Sequence, residues 1–133
     1  MLENSQCRTY FALMLSAPLD AVYDPVLSAI SPDKVAATLH VSLAEIARIA
    51  DVHRNTLTRS PASPKVQVRL GEVMRILTEA TDLLGGDLGK AALWFCRQPL
   101  AGFDGQTAEE LVTAGHADAV VTHLAMLRLG GYA

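Results

Sequence analysis

Residues 42–59 read SLAEIARIADVHRNTLTR and are the most informative segment of the sequence. Ser42 is followed three residues later by Glu45, the spacing of a capping box, which predicts that a helix begins at Ser42. Asp51 stands where the chain has to turn sharply, and Asp adopts the left-handed conformation at modest cost. The helix has one apolar face, because its apolar residues recur at helical spacing: Leu43, Ile46, Ala47 and Ala50.

A second short helix is predicted over residues 53–59, since Val52 and Leu57 are spaced to pack it across the first. Pro61 and Pro64 stop it soon afterwards. Its outward side chains include Arg, Asn and Thr, which hydrogen-bond to base edges and to phosphates. The residues expected to bind DNA are Ser42, His53, Arg54, Asn55, Thr56, Thr58, Arg59 and Lys65.

The charge of the chain is distributed unevenly. The net charge of −3 over 133 residues argues at first against binding to nucleic acid. Residues 1–52 carry −3, residues 53–75 carry +4 and residues 76–133 carry −4. The cationic field is therefore local to the second helix and the segment that follows it, although the whole molecule is acidic.

The composition indicates an all-α fold, because half of the residues are apolar and only 5% are aromatic. Ser31 followed by Pro32 predicts the start of a short bracing helix. Residues 1–30 are predicted to be an N-terminal helical arm interrupted by prolines, and its packing, on the core or on a second subunit, is left open. Residues 31–65 form the predicted helix-turn-helix module.

Residues 66–133 are predicted to be a helical domain that begins with one long amphipathic helix ending at Gly85 and Gly86. Asp87 caps the next helix. Its apolar residues, Leu93 among them, face several sides and only Lys90 and Arg97 form a polar strip, so the helix is expected to be buried on most sides.

Two more helices are predicted after this one. Thr107 with Glu110 is a second capping box, and Gly115 ends the helix that it starts. The last helix is expected to end at Gly130 and Gly131.

The stretch LAEIARIADVHRNTLTR resembles the helix-turn-helix of Xre-type, phage-repressor-like regulators. Ala47 matches the small residue at the helix crossing, and Val52 and Leu57 match core positions. Asp51 departs from the family, which usually has Gly at the turn. The alternative is an amphipathic helix pair with no role in DNA binding.

The sequence from Ala92 to Ala133 resembles the toxin-binding domain of Xre/MbcA/ParS antitoxins. Ala108 departs from the family, which often has Pro there, and so does the doubled glycine near the end. Together with the helix-turn-helix, the resemblance covers residues 31–133. It implies a partner toxin of the RES fold, which in this family consumes NAD+. The residues that it implies for toxin binding are Trp94, Pro99, Leu100, Gly102, Phe103, Thr107, Leu111, Leu129 and Gly130.

Core packing is the competing interpretation for Trp94 and Phe103, because aromatic residues are usually buried. The chain end, Gly131, Tyr132 and Ala133, is a further candidate for toxin binding. Its ring and carboxylate could enter the pyrophosphate pocket of an NAD+-consuming enzyme. A frayed terminus is the alternative for this tail.

Catalytic and metal-binding functions are not expected. The four histidines have no Cys or carboxylate at ligand spacing, and no nucleophile has a base in a recognisable arrangement. Cys7 and Cys96 match no zinc or redox spacing, which favours a reduced, cytoplasmic chain. No signal peptide, membrane span, cofactor or metal is predicted.

Two functions remain open at this point. One is an antitoxin that neutralises a RES-type toxin and represses its own operon, as a homodimer or a larger assembly with the toxin on operator DNA. The other is a free-standing Xre-type transcription regulator whose C-terminal half dimerises or senses a ligand.

Overall fold

The computed structural model of the chain describes residues 19–130. The all-α prediction is confirmed over this range, which holds seven helices and a two-stranded hairpin of two residues per strand. The hairpin is β1 (Tyr23–Asp24) and β2 (Ala29–Ile30). The helices are α1 (Pro32–Leu39), α2 (Leu43–Ala50), α3 (Arg54–Arg59), α4 (Pro64–Leu83), α5 (Leu88–Arg97), α6 (Ala108–Thr113) and α7 (Ala117–Arg128).

Three of the predictions concern residues outside this range. They are the part of the predicted N-terminal arm that falls in residues 1–18, the role of Cys7, and the tail formed by Gly131, Tyr132 and Ala133.

The helices begin where their capping residues predict. Ser31 caps α1 with Pro32 at the first helical position, and Ser42 caps α2 by accepting a hydrogen bond from the Glu45 backbone N–H at 3.2 Å. Thr107 and Glu110 form both halves of a capping box at α6. These side chains satisfy backbone N–H groups that have no partner within the helix.

The turn between α2 and α3 is made at Asp51, which adopts a left-handed conformation with φ of 54°. The N–H of Val52 donates to the carbonyl of Ala47 at 3.0 Å across this turn. The chain therefore leaves α2 abruptly and brings α3 against it, with Leu57 of α3 buried.

The hydrophobic core is continuous across the two halves of the chain. The long helix α4 packs against α2, α5 and α7, while α1 packs on α5 and α2 packs on α6. A single cluster of buried side chains joins Ile46 and Leu57 of the N-terminal half to Phe95 and Leu124 of the C-terminal half. The segments 31–65 and 66–130 thus stabilise each other by shared burial of apolar surface.

Residues 23–30, which were predicted to belong to a helical arm, form a hairpin instead. Its second strand is bound to α4 through the side-chain amide of Gln67. The N–H of Ile30 donates to Gln67 Oε1 at 2.9 Å, and Gln67 Nε2 donates to the carbonyls of Ile30 and Pro61, each at 2.9 Å. Two strands of two residues are too short to be stable alone, so this amide holds the hairpin in place.

The described residues contain no helix that is both long enough and apolar enough to cross a membrane.

Candidate functional site

Helix α3 presents most of the residues predicted to bind DNA. Its N-cap is His53, whose Nδ1 accepts a hydrogen bond from the Asn55 backbone N–H at 3.2 Å. Only Leu57 faces the core, and Thr56 is half-buried. The exposed side chains on this short element are His53, Arg54, Asn55, Thr58 and Arg59.

Ser42 and Lys65 lie outside α3 and have other contacts. Ser42 is exposed, and its hydroxyl is used as the cap of α2. Lys65 Nζ lies 3.6 Å from Asp51 Oδ2 in an ion pair between two well-exposed side chains. An exposed pair of this kind contributes little to stability, so the Lys65 ammonium is available to another anion at small cost.

The cations of the described chain divide into paired and unpaired groups. Arg48, Lys65, Arg69, Arg75 and Arg128 each form an ion pair with a carboxylate. The Lys34 ammonium lies 3.4 Å from the Tyr23 carbonyl. Within residues 19–130, no ion-pair partner is found for Lys34, Arg54, Arg59, Lys90 and Arg97.

The residues predicted to bind a toxin fall into three groups. Leu100, Thr107 and Leu111 are buried in the core, and their side chains are not part of the surface. Trp94 and Phe103 are half-buried and pack against the core, so for these two residues packing and surface exposure coexist. The exposed members within the described range are Pro99, Gly102, Leu129 and Gly130.

The loop between α5 and α6 is held by its own backbone. Leu100 N–H donates to the Gln106 carbonyl at 2.9 Å, and Phe103 N–H donates to the Leu100 carbonyl at 3.3 Å. The Phe103 ring lies edge-on to the ring of His123 in α7, with centroids 5.8 Å apart. The loop therefore rests on α7 through an aromatic contact.

His123 is a buried polar residue at this contact. Its side-chain Nε2 has no hydrogen-bond partner among the described residues, and the residue is 7% exposed. Burial lowers the pKa of His123 below its ordinary value, because the charged imidazolium loses its hydration. The neutral ring is the form that suits this position.

A second polar cluster lies where α2 meets α6. Arg48 donates to Glu109 Oε1 at 3.0 Å, and the Cys96 thiol is close enough to Glu109 for their charges to interact. Burial raises the pKa of Glu109 while the Arg48 charge opposes that rise. Burial and the negative charge of Glu109 raise the pKa of the Cys96 thiol to about 11. This cluster could not be predicted from the sequence, because its members are distant in the chain.

The outer face of α5 differs from its prediction. The helix was expected to be buried on most sides, and this is wrong: Leu93 is 60% exposed, and Lys90 and Arg97 are exposed beside it. Only the inner face of the helix is buried, and it carries Ala91, Ala92 and Phe95. Counting Leu93 as a core residue was the error, because apolar character alone does not show which side of a short helix is covered.

Two exposed apolar residues lie at the end of α7. Met126 is 58% exposed and Leu129, just after the helix, is 90% exposed. Met126 was not predicted as a binding residue, but its spacing of three from Leu129 places both on one side of the chain end. This spacing could have indicated the exposed apolar pair from the sequence alone.

Residues 19–130 hold no group of three His, Cys, Asp or Glu side chains arranged to bind a metal ion.

Comparisons with protein-family models, with curated proteins and with solved structures found no match to this chain.

Proposed function

We propose that the chain is an antitoxin with a helix-turn-helix in residues 31–65 and a toxin-binding surface in the C-terminal half. In this proposal, α3 is the DNA-reading helix and the toxin is an NAD+-consuming enzyme of the RES fold. The chain itself has no catalytic role. Its site of action is the cytoplasm, where operator DNA and toxin meet.

The observation that carries the DNA-binding part is the surface of α3. Arg54 and Arg59 are exposed and have no carboxylate partner in the described chain, although the molecule is acidic. Unpaired guanidinium groups on a short helix beside exposed Asn and Thr side chains suit contacts with phosphates and base edges.

One short reading helix contacts only a half-site on DNA. Useful affinity then requires two copies of the chain, either as a homodimer or as an assembly bridged by the toxin on a repeated operator. We propose such an assembly.

The toxin-binding part is supported by apolar side chains that the fold leaves uncovered in the C-terminal half. Leu93, Met126 and Leu129 are each more than half exposed. Residues 76–133 carry a net charge of −4, which makes them a poor surface for DNA and leaves a protein as the better partner.

Co-expression tests the function as a whole. The full chain is produced together with the RES-type protein encoded beside its gene, and the two are purified through a tag on that protein. The proposal expects a stable complex in which NAD+ consumption is suppressed. Absence of a complex, or of any RES-type reading frame beside the gene, would overturn the antitoxin function.

A mobility-shift assay tests the DNA-binding part separately. The probe is the duplex immediately upstream of the gene, and the variant is Arg54→Ala with Arg59→Ala. We expect the variant to lose binding to this duplex and to keep binding to the toxin. If the chain binds this DNA specifically but does not bind the toxin, the result would instead support the free-standing regulator.

A further inference from the structure

The outer face of α5 combines two charges with one apolar side chain. At 100° per residue, Lys90, Leu93 and Arg97 lie within an arc of about 60°, and the two cations are about 10 Å apart along the helix axis. All three side chains are exposed, and Leu93 between the two cations is 60% exposed. We call these three residues the α5 face.

The charges of the α5 face are not explained by the fold. Within residues 19–130 neither Lys90 nor Arg97 has an ion-pair partner. Lys90 is in the first turn of α5, where the helix dipole disfavours a cation, and the nearby cap Asp87 accepts from the Lys90 backbone N–H rather than from its ammonium group. Arg97 alone is favourably placed, at the C-terminal end.

The chemistry of the α5 face distinguishes between anionic partners. A phosphate backbone is hydrated and offers nothing to the exposed Leu93 side chain, whereas an apolar side chain of a protein can cover it. A protein segment with an apolar residue between two carboxylates satisfies all three positions at once. It would pair both cations and cover the leucine.

We propose that the α5 face is a docking site for an acidic amphipathic segment of the toxin, with one carboxylate against Lys90, one against Arg97 and an apolar side chain on Leu93. This inference rests on the proposed function, because it takes the toxin as the partner. It assigns a surface that is separate in sequence from the exposed residues at the end of α7. The unpaired cations of α3 and of α5 thereby serve different partners.

Charge reversal at the two helices provides the test. Lys90→Glu with Arg97→Glu and Arg54→Glu with Arg59→Glu change the net charge by the same amount on full-length chains. The affinity for the purified RES-type protein is measured by titration calorimetry, and binding to the upstream duplex by mobility shift. The expected result is that the α5 variant loses at least about 30-fold in toxin affinity and keeps DNA binding. The α3 variant shows the reverse.

A matched pair of variants tests the apolar residue of the α5 face. Leu93→Ser removes the exposed leucine of the α5 face, and Val68→Ser removes a similarly exposed valine of α4, which is 66% exposed. We expect only Leu93→Ser to weaken toxin binding. Circular dichroism and the Tm confirm that each variant is folded, as surface positions allow.

The outcomes separate the inference from the function on which it rests. If the wild-type chain does not bind the RES-type protein, the proposed function is overturned, and the partner assigned to the α5 face is overturned with it. If the wild-type chain binds but the α5 variants retain their affinity within about threefold, the α5 face is wrong and the function stands. Equal losses for both charge reversals would show a bulk charge effect, and a change in self-association alone would assign the face to a second copy. Both results would overturn the inference.

Discussion

Arg48 and Glu109 are 61 residues apart in the chain, and their side chains meet at 3.0 Å where α2 contacts α6. The Glu109 side chain is only 12% exposed, whereas that of Arg48 is 56% exposed. A partly buried carboxylate thus depends on a guanidinium supplied by the helix that precedes the proposed reading helix. The contact joins the two halves of the chain by a polar link in addition to their shared core.

Removal of this partner should destabilise the fold. Arg48→Met leaves the Glu109 carboxylate without its cation, and its pKa, already raised by burial, rises further. We expect the free energy of unfolding at neutral pH to fall by about 1–2 kcal/mol, measured by urea denaturation. Adding Glu109→Gln should restore part of the loss. Arg128→Met, which breaks the more exposed pair with Asp82, should cost no more than about 0.5 kcal/mol. Equal costs for the two pairs would contradict this prediction.

The left-handed turn residue offers a stabilising change. Asp51 has φ of 54°, a conformation that glycine adopts without the steric cost of a Cβ atom. Asp51→Gly should therefore raise the free energy of unfolding by about 0.5–1 kcal/mol, measured by thermal or urea denaturation. Asp51→Ala is the control and should lower stability, since Ala has a Cβ atom and no polar group to support the turn. A loss of stability in the glycine variant would show that the ion pair with Lys65 outweighs the backbone cost.

The buried His123 should make stability depend on pH. Its folded pKa is lowered below the ordinary 6.5, so the ring is neutral in both states above that pH and makes no difference to stability. As the pH falls through 6.5, the unfolded chain binds a proton that the folded chain does not, and stability decreases until the folded ring also titrates. The slope from this residue is at most about 1.4 kcal/mol per pH unit.

A variant that lacks only the His123 imidazole isolates this contribution. His123→Leu should lose the part of the pH dependence that lies just below pH 6.5. The free energy of unfolding is measured by urea denaturation at pH values from about 7.5 to about 5. His116→Gln, at an exposed position, should keep it. Identical pH profiles for wild type and His123→Leu would show that the ring is not buried in its neutral form.

The Cys96 thiol should be poorly reactive in the folded chain. Its pKa is raised to about 11, first by burial and then by the neighbouring Glu109 charge. In a Cys7→Ser background, alkylation by iodoacetamide at pH 8 should be on the order of 100-fold slower than in the same chain unfolded in urea, because the thiolate is the reactive form. Glu109→Gln should increase the folded rate. Comparable rates in the folded and unfolded states would show an open thiol.

The local elements of this fold were predictable because their signals are short-range. Caps at Ser42 and Thr107 and the left-handed turn at Asp51 involve residues within five positions of each other. Such signals depend on backbone hydrogen bonds that each segment must satisfy for itself. The boundaries of α2 and α6 followed from them.

The candidate surfaces were less predictable because they depend on contacts distant in sequence. Leu100 and Leu111 lie in a stretch that resembles a binding domain, but the fold buries both, while Leu93 was expected inside and lies outside. Periodicity gives the apolar side of a helix but not the number of neighbours that cover it. The Arg48 and Glu109 pair is likewise visible only once α2 and α6 are brought together.

Gln67 gives the hairpin a property that its two strands lack. Its amide has the same donor and acceptor pair as a peptide group, and it occupies both the N–H and the carbonyl of Ile30. A strand with these groups free could recruit an extended segment from another molecule. With the amide in place, that side of β2 is closed to strand addition, so the molecule is protected there against edge-to-edge aggregation.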